Sequence, residues 1–128
     1  MGYRSDVIFA CTADAVPILL AEAGKSAALK ELLFADADEQ LLGDYDSEGS
    51  YLFSWSGIKW YDSYEGVAAI QDFLDWCDGE DVPSQDAKGE RVSGDECYRF
   101  VRIGEEVEDI EERGSGFWDV GVRRSIEF

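Results

Sequence analysis

Residues 7–11, VIFAC, constrain the fold more than any other part of the chain. They form a short, nearly continuous apolar run that includes β-branched and aromatic side chains. A run of this length and composition is typical of a buried strand. We therefore predict a sheet in which this segment is the first strand.

Helical patterns lie on both sides of the middle of the sequence. Thr12 and Asp14 are candidate caps for a first helix, and Ser26 is a candidate cap for a second, short one. Asp62 and Glu65 have the spacing of a capping box before the clearest helix. The apolar face predicted for that helix consists of Val67, Ile70, Phe73, Leu74, Trp76 and Cys77.

Four more segments have the composition of strands, namely residues 51–61, 97–103, 106–113 and 118–126. Within the first of them, Ser56-Gly57 indicates either a tight hairpin or a bulge in one long strand, and both alternatives fit the pattern. Residues 36–48 are rich in acids and contain no Lys or Arg, and residues 78–95 contain several glycines. Both of these segments are predicted as connections.

This order of elements predicts an α+β fold. We expect an antiparallel β-sheet with two or three helices packed on one face and a C-terminal β-meander. A length of 128 residues with 45% hydrophobic content favours one domain spanning residues 1–128. The predicted core includes Val7, Phe9, Leu19, Leu32, Phe53, Ile70, Leu74, Phe100 and Ile126, and we also expect Trp60 and Trp76 there.

The charge balance limits the partners of the protein. Eleven Lys and Arg against 29 Asp and Glu give a formal net charge of −18. Phosphates would be repelled, so direct binding to nucleic acid or to an anionic membrane is not expected. A basic partner is favoured instead.

Three cysteines, Cys11, Cys77 and Cys97, are far apart in the sequence and lie in apolar stretches. Their odd number and spacing predict buried free thiols in a reducing compartment. The start of the sequence lacks the pattern of a signal peptide, and no run of ~18 apolar residues predicts a membrane span. We therefore expect a cytoplasmic protein.

Enzymatic chemistry is poorly represented. The chain contains no histidine, which removes the commonest general base and the usual zinc ligand. Gly24-Lys25-Ser26 has the end of a phosphate-binding loop, but Leu19 occupies the position that requires glycine. DYDSEG, residues 44–49, resembles half of a calcium loop, yet Trp55 stands where a bidentate glutamate should close it. We predict no enzyme activity, no cofactor and no required metal, although weak divalent binding at residues 44–49 remains an alternative.

The segment GEEVEDIEERG, residues 104–114, contains six carboxylates within eight positions. We predict a hairpin with a two-residue turn at Gly104-Glu105, which places Arg102 opposite Val107 and Arg99 opposite Ile110. Neither face of the returning strand is cleanly apolar, so it should lie at or near a sheet edge. Such a charged edge either only prevents aggregation or forms a surface that imitates a polyanion.

Three short segments carry a resemblance to a known group of proteins. GYRSDV at residues 2–7, KWY at 59–61 and FVRIGEEVEDIE at 100–111 resemble small uncharacterised acidic proteins of bacteriophages and prophages. The resemblance implies a phage-encoded protein that acts in the host bacterial cytoplasm. Small accessory phage proteins of this kind often inhibit host defence stoichiometrically, and several anti-restriction and anti-CRISPR families are strongly acidic.

We therefore predict a phage-encoded acidic inhibitor that imitates nucleic acid on a basic host protein or nucleoprotein complex. One alternative is a small carboxylate-based enzyme or divalent-cation-binding domain, which would have a pocket lined by convergent acids. Another is an acidic interaction domain that uses apolar surface, where the charge only maintains solubility. The predicted partner-binding residues are Glu105, Glu106, Glu108, Asp109, Glu111, Glu112, Asp36, Asp38, Glu39, Asp44, Asp46 and Glu48.

Overall fold

A five-stranded antiparallel sheet with three α-helices over one face forms the body of the protein, which confirms the α+β prediction. The computed structural model describes residues 2–43, 49–84, 89–117, 121–122 and 126–127. The helices are α1 (Val16–Lys25), α2 (Ala27–Glu31) and α3 (Glu65–Gly79), with a π-helical turn at Leu32–Asp36 and a 3₁₀ turn at Gly94–Cys97. The strands are β1 (Ser5–Cys11), β2 (Glu39–Leu42), β3 (Tyr51–Ile58), β4 (Asp81–Pro83), β5 (Arg91–Ser93), β6 (Tyr98–Ile103), β7 (Ile110–Arg113), β8 (Gly121–Val122) and β9 (Ile126–Glu127).

The apolar strand β1 lies in the centre of the sheet, whose order is β2-β3-β1-β6-β7. Phe9 is opposite Phe53 of β3 on one side and opposite Phe100 of β6 on the other. From Val7 to Cys11 every side chain of β1 is buried, because both faces of the central strand are covered. The continuous apolar run is explained by this position.

The main core lies between the sheet and the helices. Phe9, Phe53 and Phe100 project to this face and pack with side chains from α1, α2 and α3. The predicted core positions confirmed as buried are Val7, Phe9, Leu19, Leu32, Phe53, Ile70, Leu74 and Phe100, whereas the side chain of Ile126 lies outside the described residues. Trp60 is also buried, but the prediction for Trp76 is wrong, because this side chain on α3 is 39% exposed.

The opposite face of the sheet carries a smaller apolar cluster. Ile8, Ala10, Leu52 and Val101 are buried there, and Phe117 packs against them. The segment predicted as one last strand contains β8 and β9, which pair with each other and contact β1 and β6. The chain therefore reverses within this segment instead of adding a single long strand.

Helix capping follows the prediction only in part. The side chain of Ser26 accepts a hydrogen bond from Leu29 N at 3.2 Å and caps α2 as expected. No side chain caps α1 or α3. The predicted capping box is wrong, because α3 begins at Glu65 itself and leaves Asp62 outside the helix.

Two segments predicted as connections contain short strands. Residues 39–42 form β2 and pair with β3, since the backbone of a strand edge tolerates charged side chains that point to water. Residues 81–83 and 91–93 form the two-stranded sheet β4-β5. Within the described ranges, no helix is long and apolar enough to cross a membrane.

Candidate functional site

The loop between β6 and β7 is held by contacts that the sequence pattern does not reveal. It spans six residues, Gly104 to Asp109, and not two. The predicted register is therefore wrong: Arg102 lies opposite Glu111, and Ile103 lies opposite Ile110.

Arg102 is the centre of a polar network that closes this loop. Its Nη2 and Nη1 donate to the two carboxylate oxygens of Asp109 at 2.7 and 3.1 Å. Its Nε donates to Glu111 Oε1 at 3.2 Å, and Nη1 also reaches Ser5 Oγ at 3.2 Å. A bidentate guanidinium–carboxylate pair fixes orientation as well as distance, so the loop has a defined shape.

Tyr3, a residue 106 positions away in sequence from Asp109, completes the network. Its hydroxyl donates to Asp109 Oδ2 at 2.6 Å and accepts from Glu106 N at 3.1 Å. The hydrogen bonds from Arg102 and then from Tyr3 lower the pKa of Asp109 to about 2. The bond to Asp109 raises the pKa of Tyr3, because it favours the protonated phenol.

The six carboxylates of the acidic hairpin therefore fall into two groups. Asp109, Glu111 and Glu112 are paired with arginines, the last with Arg99 at 3.3 Å. These three serve the fold, and their charge is largely compensated. The other three, Glu105, Glu106 and Glu108, are exposed and make no ion pair among the residues that the structure describes.

We call residues 105–108 the hairpin tip. Glu106 and Glu108 are exposed, and in the described part of the chain their carboxylates make no hydrogen bond or ion pair. Glu105 Oε2 accepts from Arg4 N at 2.8 Å, which ties the tip to the start of β1. Val107 is 91% exposed between the acids. The tip thus presents three carboxylates and one apolar side chain on a loop that is anchored at Glu105, Glu106 and Asp109.

The second predicted acidic cluster lies at the opposite edge of the sheet, where β2 begins. Asp36 ends the π-helical turn, Asp38 precedes β2 and Glu39 starts it, and all three are exposed. Asp38 Oδ2 accepts from Ser56 N at 2.6 Å. The remaining predicted site residues, Asp44, Asp46 and Glu48, lie outside the described residues.

β3 continues through Ser56-Gly57 as one strand with a bulge, so of the two alternatives for these residues the bulge is confirmed. Two residues of β3, Ser56 and Gly57, oppose one residue of β1, Asp6, and Gly57 has a φ of 61°. Asp6 Oδ1 accepts from Gly57 N at 2.9 Å, and Arg4 Nη1 donates to Gly57 O at 2.7 Å. The bulge is therefore fixed by side chains of β1 and its flank.

These contacts place Asp36, Asp38 and Glu39 at the same end of the sheet as the hairpin tip, and we call this end the acidic end. It comprises the start of β1, the end of β3, the start of β2 and the loop after β6. Four strand spacings of about 4.8 Å, or about 19 Å in all, separate the edge strands β2 and β7. The carboxylates at this end include Asp6, Asp36, Asp38, Glu39, Glu105, Glu106, Glu108 and Asp109.

A cleft of about 760 Å³ opens at the acidic end, between β3, α2 and the start of α3. Its apolar walls include Leu32, Trp55 and Val67. Six charged residues also line it, namely Arg4, Glu31, Asp36, Asp38, Lys59 and Glu65. No periodicity in the sequence points to this cleft, because its walls come from four separate segments.

Asp75 and Asp78 of α3 and the three thiols contribute to the fold. Arg113 of β7 donates to Asp75 and Asp78 of α3 at 2.8 Å each, which joins the edge strand to the helix layer. Cys11, Cys77 and Cys97 are free and buried, as predicted, and burial raises the pKa of the Cys77 thiol to about 12. Among the described residues, no group of three or more Cys, Asp or Glu is placed to hold a metal ion.

Comparison of the chain with protein-family models, with curated proteins and with solved structures gives no match. The geometry of the acidic end and of the cleft therefore carries the functional argument.

Proposed function

We propose that the protein is an acidic binding protein that occupies the nucleic-acid site of a basic partner and inhibits it stoichiometrically. The observation that carries this proposal is the position of Asp36, Asp38 and Glu39 at the same end of the sheet as the hairpin tip. Carboxylates in such an array compete for the Arg and Lys groups that otherwise bind phosphates, and they release counterions as DNA does.

Rigidity of the hairpin tip supports this proposal. Arg102 and Tyr3 hold Asp109, and the backbone of Glu106 is fixed by the Tyr3 hydroxyl. A charged loop that is already ordered loses less conformational entropy on binding than a flexible acidic tail.

Val107 adds an apolar contact to the charged tip. Protein interfaces combine an apolar centre with a polar rim, and an exposed valine flanked by Glu106 and Glu108 has this arrangement on a small scale. It gives the tip a means to distinguish a protein groove from a simple polycation.

The biological setting follows from the resemblance of residues 2–7, 59–61 and 100–111 to acidic phage proteins. On that basis we propose a phage-encoded inhibitor of a host nucleic-acid-binding defence complex, of the anti-CRISPR or anti-restriction type, in the host cytoplasm.

The test is a competition experiment on the immobilised protein. Bacterial lysate is applied at low salt, and bound proteins are eluted with a salt gradient or with duplex DNA. We compare the double variant Glu106→Lys/Glu108→Lys with the matched control Glu80→Lys/Glu96→Lys, which changes the net charge equally. Glu80 and Glu96 are exposed and lie towards the other end of the sheet, after α3 and before β6.

We expect a partner that duplex DNA and salt both displace, that the tip variant fails to retain and that the control variant retains. Equal loss in both variants would indicate diffuse attraction and not a shaped surface. Retention that resists salt and DNA would favour the apolar-surface alternative, and no effect of the tip variant would leave the hairpin acids as a solvated edge.

A second candidate function is a carboxylate-based enzyme or cation-binding domain, since four acids line the cleft, although among the described residues they form no group placed to hold a metal ion. A pocket with convergent acids is what that alternative requires. The two candidate functions are distinguished by titration with Mg²⁺, Ca²⁺ and Mn²⁺, which is monitored through the amide signals of Gly57 and Gly66. Saturable shifts at these cleft residues at submillimolar metal would favour the second candidate.

A further inference from the structure

The cleft at the acidic end combines an apolar floor with a charged rim. Leu32, Trp55 and Val67 lie almost fully buried beneath the floor, whose accessible apolar surface includes Ile58 and Tyr64, and the indole Nε1 of Trp55 donates to Leu32 O at 3.0 Å. Its volume of about 760 Å³ lies within the range of roughly 300–1,000 Å³ that is usual for small-ligand sites. The floor therefore offers apolar contact, and the charged rim determines which polar groups of a ligand are favoured.

The rim is predominantly negative. Four carboxylates and two cations line the cleft, and one of the cations, Arg4, is turned to Gly57 O. Asp38 is likewise engaged by the amide of Ser56. Glu31, Asp36 and Glu65 are exposed and make no ion pair within the described ranges.

The walls of the cleft are fixed before any ligand binds. The bulge at Ser56-Gly57 is held by Asp6, Asp38 and Arg4, and the start of α3 packs closely on α2. A Cβ added at Gly66 would lie 2.9 Å from Ala28 O, so the backbones of α2 and α3 approach closely at this point. Preformed walls reduce the entropy lost on binding.

We propose that this cleft receives a short segment of the basic partner in which one Arg or Lys is flanked by apolar residues. The inference rests on the proposed function and adds a second, specific contact to it. The aliphatic stem of such a side chain lies on the apolar floor while its charged head reaches the rim. Tyr64, which is 45% exposed at the cleft, supplies an aromatic face for the cation.

The negative charge of the cleft rim favours this occupant over the alternatives. Phosphate-containing ligands meet an excess of carboxylates and are repelled. A purely apolar segment would cover Glu31, Asp36 and Glu65 without compensating their charge. In a basic segment with apolar neighbours, the positive charge pairs with the rim carboxylates and the apolar side chains pack on the floor.

The test uses the capped peptide Gly-Leu-Arg-Leu-Gly as probe. Binding is followed by the amide signals of the ¹⁵N-labelled protein, with Gly57, Gly66 and Val67 reporting on the cleft. One control peptide has citrulline in place of arginine, which keeps the shape and removes the charge. A second has glycine in place of both leucines, and spermidine represents a small cation.

Two protein variants accompany these probes. Glu31→Gln/Asp36→Asn removes two rim charges, and Glu80→Gln/Glu96→Gln removes two charges at a distance. All four positions are exposed, so the melting temperatures should stay close to that of the parent.

We expect saturable shifts at the cleft with the arginine-leucine peptide, and at least about tenfold weaker binding with the citrulline peptide and with the rim variant. The distal variant should bind as the parent does. Absence of shifts at the cleft, equal binding of the citrulline peptide, or equal binding of spermidine would each overturn the proposal.

These outcomes are independent of the lysate competition with the hairpin-tip variants. Loss of the partner on mutation of the tip, together with no peptide binding at the cleft, would refute only the cleft contact. Peptide binding at the cleft with a tip variant that still retains the partner would instead refute nucleic-acid mimicry by the tip.

Discussion

Replacement of Arg102 by Met removes the guanidinium that holds the β6–β7 loop but keeps much of the aliphatic stem. The variant loses the bidentate pair with Asp109 and the contact with Glu111. Two carboxylates then face each other without a cation between them. The loop should become less stable, and the hairpin tip less ordered.

The magnitude follows from the exposure of the three side chains, which is 18% for Arg102, 31% for Asp109 and 33% for Glu111. Fully exposed ion pairs contribute about 0.2–1 kcal/mol each, and charged hydrogen bonds in protected positions about 1.5–3 kcal/mol. Because these pairs are intermediate and Asp109 keeps its bond from Tyr3, we expect the free energy of unfolding to fall by about 1–2 kcal/mol. For a domain of this size, each kcal/mol lost lowers the melting temperature by roughly 3–5 °C.

The assay is urea and thermal unfolding of the parent, Arg102→Met, Asp109→Asn and the double variant. The double-mutant cycle should give a coupling of about 0.5–1 kcal/mol between the two residues. A single variant that unfolds like the parent, together with a coupling near zero, would show that this network does not form in solution.

Acid provides an independent check on the same network. The pKa of Asp109 is about 2 in the folded protein, below the value of about 3.9 for an unfolded aspartate. The unfolded chain therefore takes up a proton at higher pH, and the stabilisation is complete above about pH 5 and lost as the pH falls towards 2. The stability difference between the parent and Arg102→Met should shrink over this range, and a constant difference would contradict the assignment.

Further measurements examine the core, the thiols and the charge. Leu74→Ala should lower the free energy of unfolding by about 2–5 kcal/mol and the exposed Trp76→Ala by less, so equal losses in urea unfolding would contradict the helix orientation. Cys11, Cys77 and Cys97 should react with a thiol reagent much more slowly in the native protein than in denaturant, and rapid native labelling would contradict their burial. Chelator should leave the melting temperature unchanged while sodium chloride raises it by screening repulsion, whereas a loss of several degrees with chelator would indicate a carboxylate metal site.

The centre of the fold is predictable because its signals are local. An apolar strand at residues 7–11 and a helix with Ile70 and Leu74 on one face follow from periodicity alone. The α+β class follows from the order of such elements.

The details of the acidic end are not predictable in this way, because distant residues determine them. A two-residue turn is the simplest closure for residues 104–105, but Tyr3 and Arg102 select a six-residue loop by bonding Asp109. The strand at residues 39–42 is equally hidden, since its pairing with β3 does not depend on its acidic side chains.

Trp76 illustrates a different limit. Its spacing from Phe73 matches the buried stripe of α3, yet the helix layer is not wide enough to cover it. Periodicity identifies a face but does not fix its width, which depends on how closely α1 approaches α3.

The position of β1 in the middle of the sheet has a consequence for how the chain acquires its structure. Its two neighbours are β3, about 45 residues later, and β6, about 90 residues later. During synthesis β1 therefore cannot pair with β6 until the ribosome has passed residue 103.

Non-local pairing of this kind slows folding relative to helical bundles, whose contacts are mostly local. Until β6 is available, unpaired β1 is a site for misassociation or chaperone binding. The acids encoded between β1 and β6 make nascent chains negatively charged, so that separate chains repel each other.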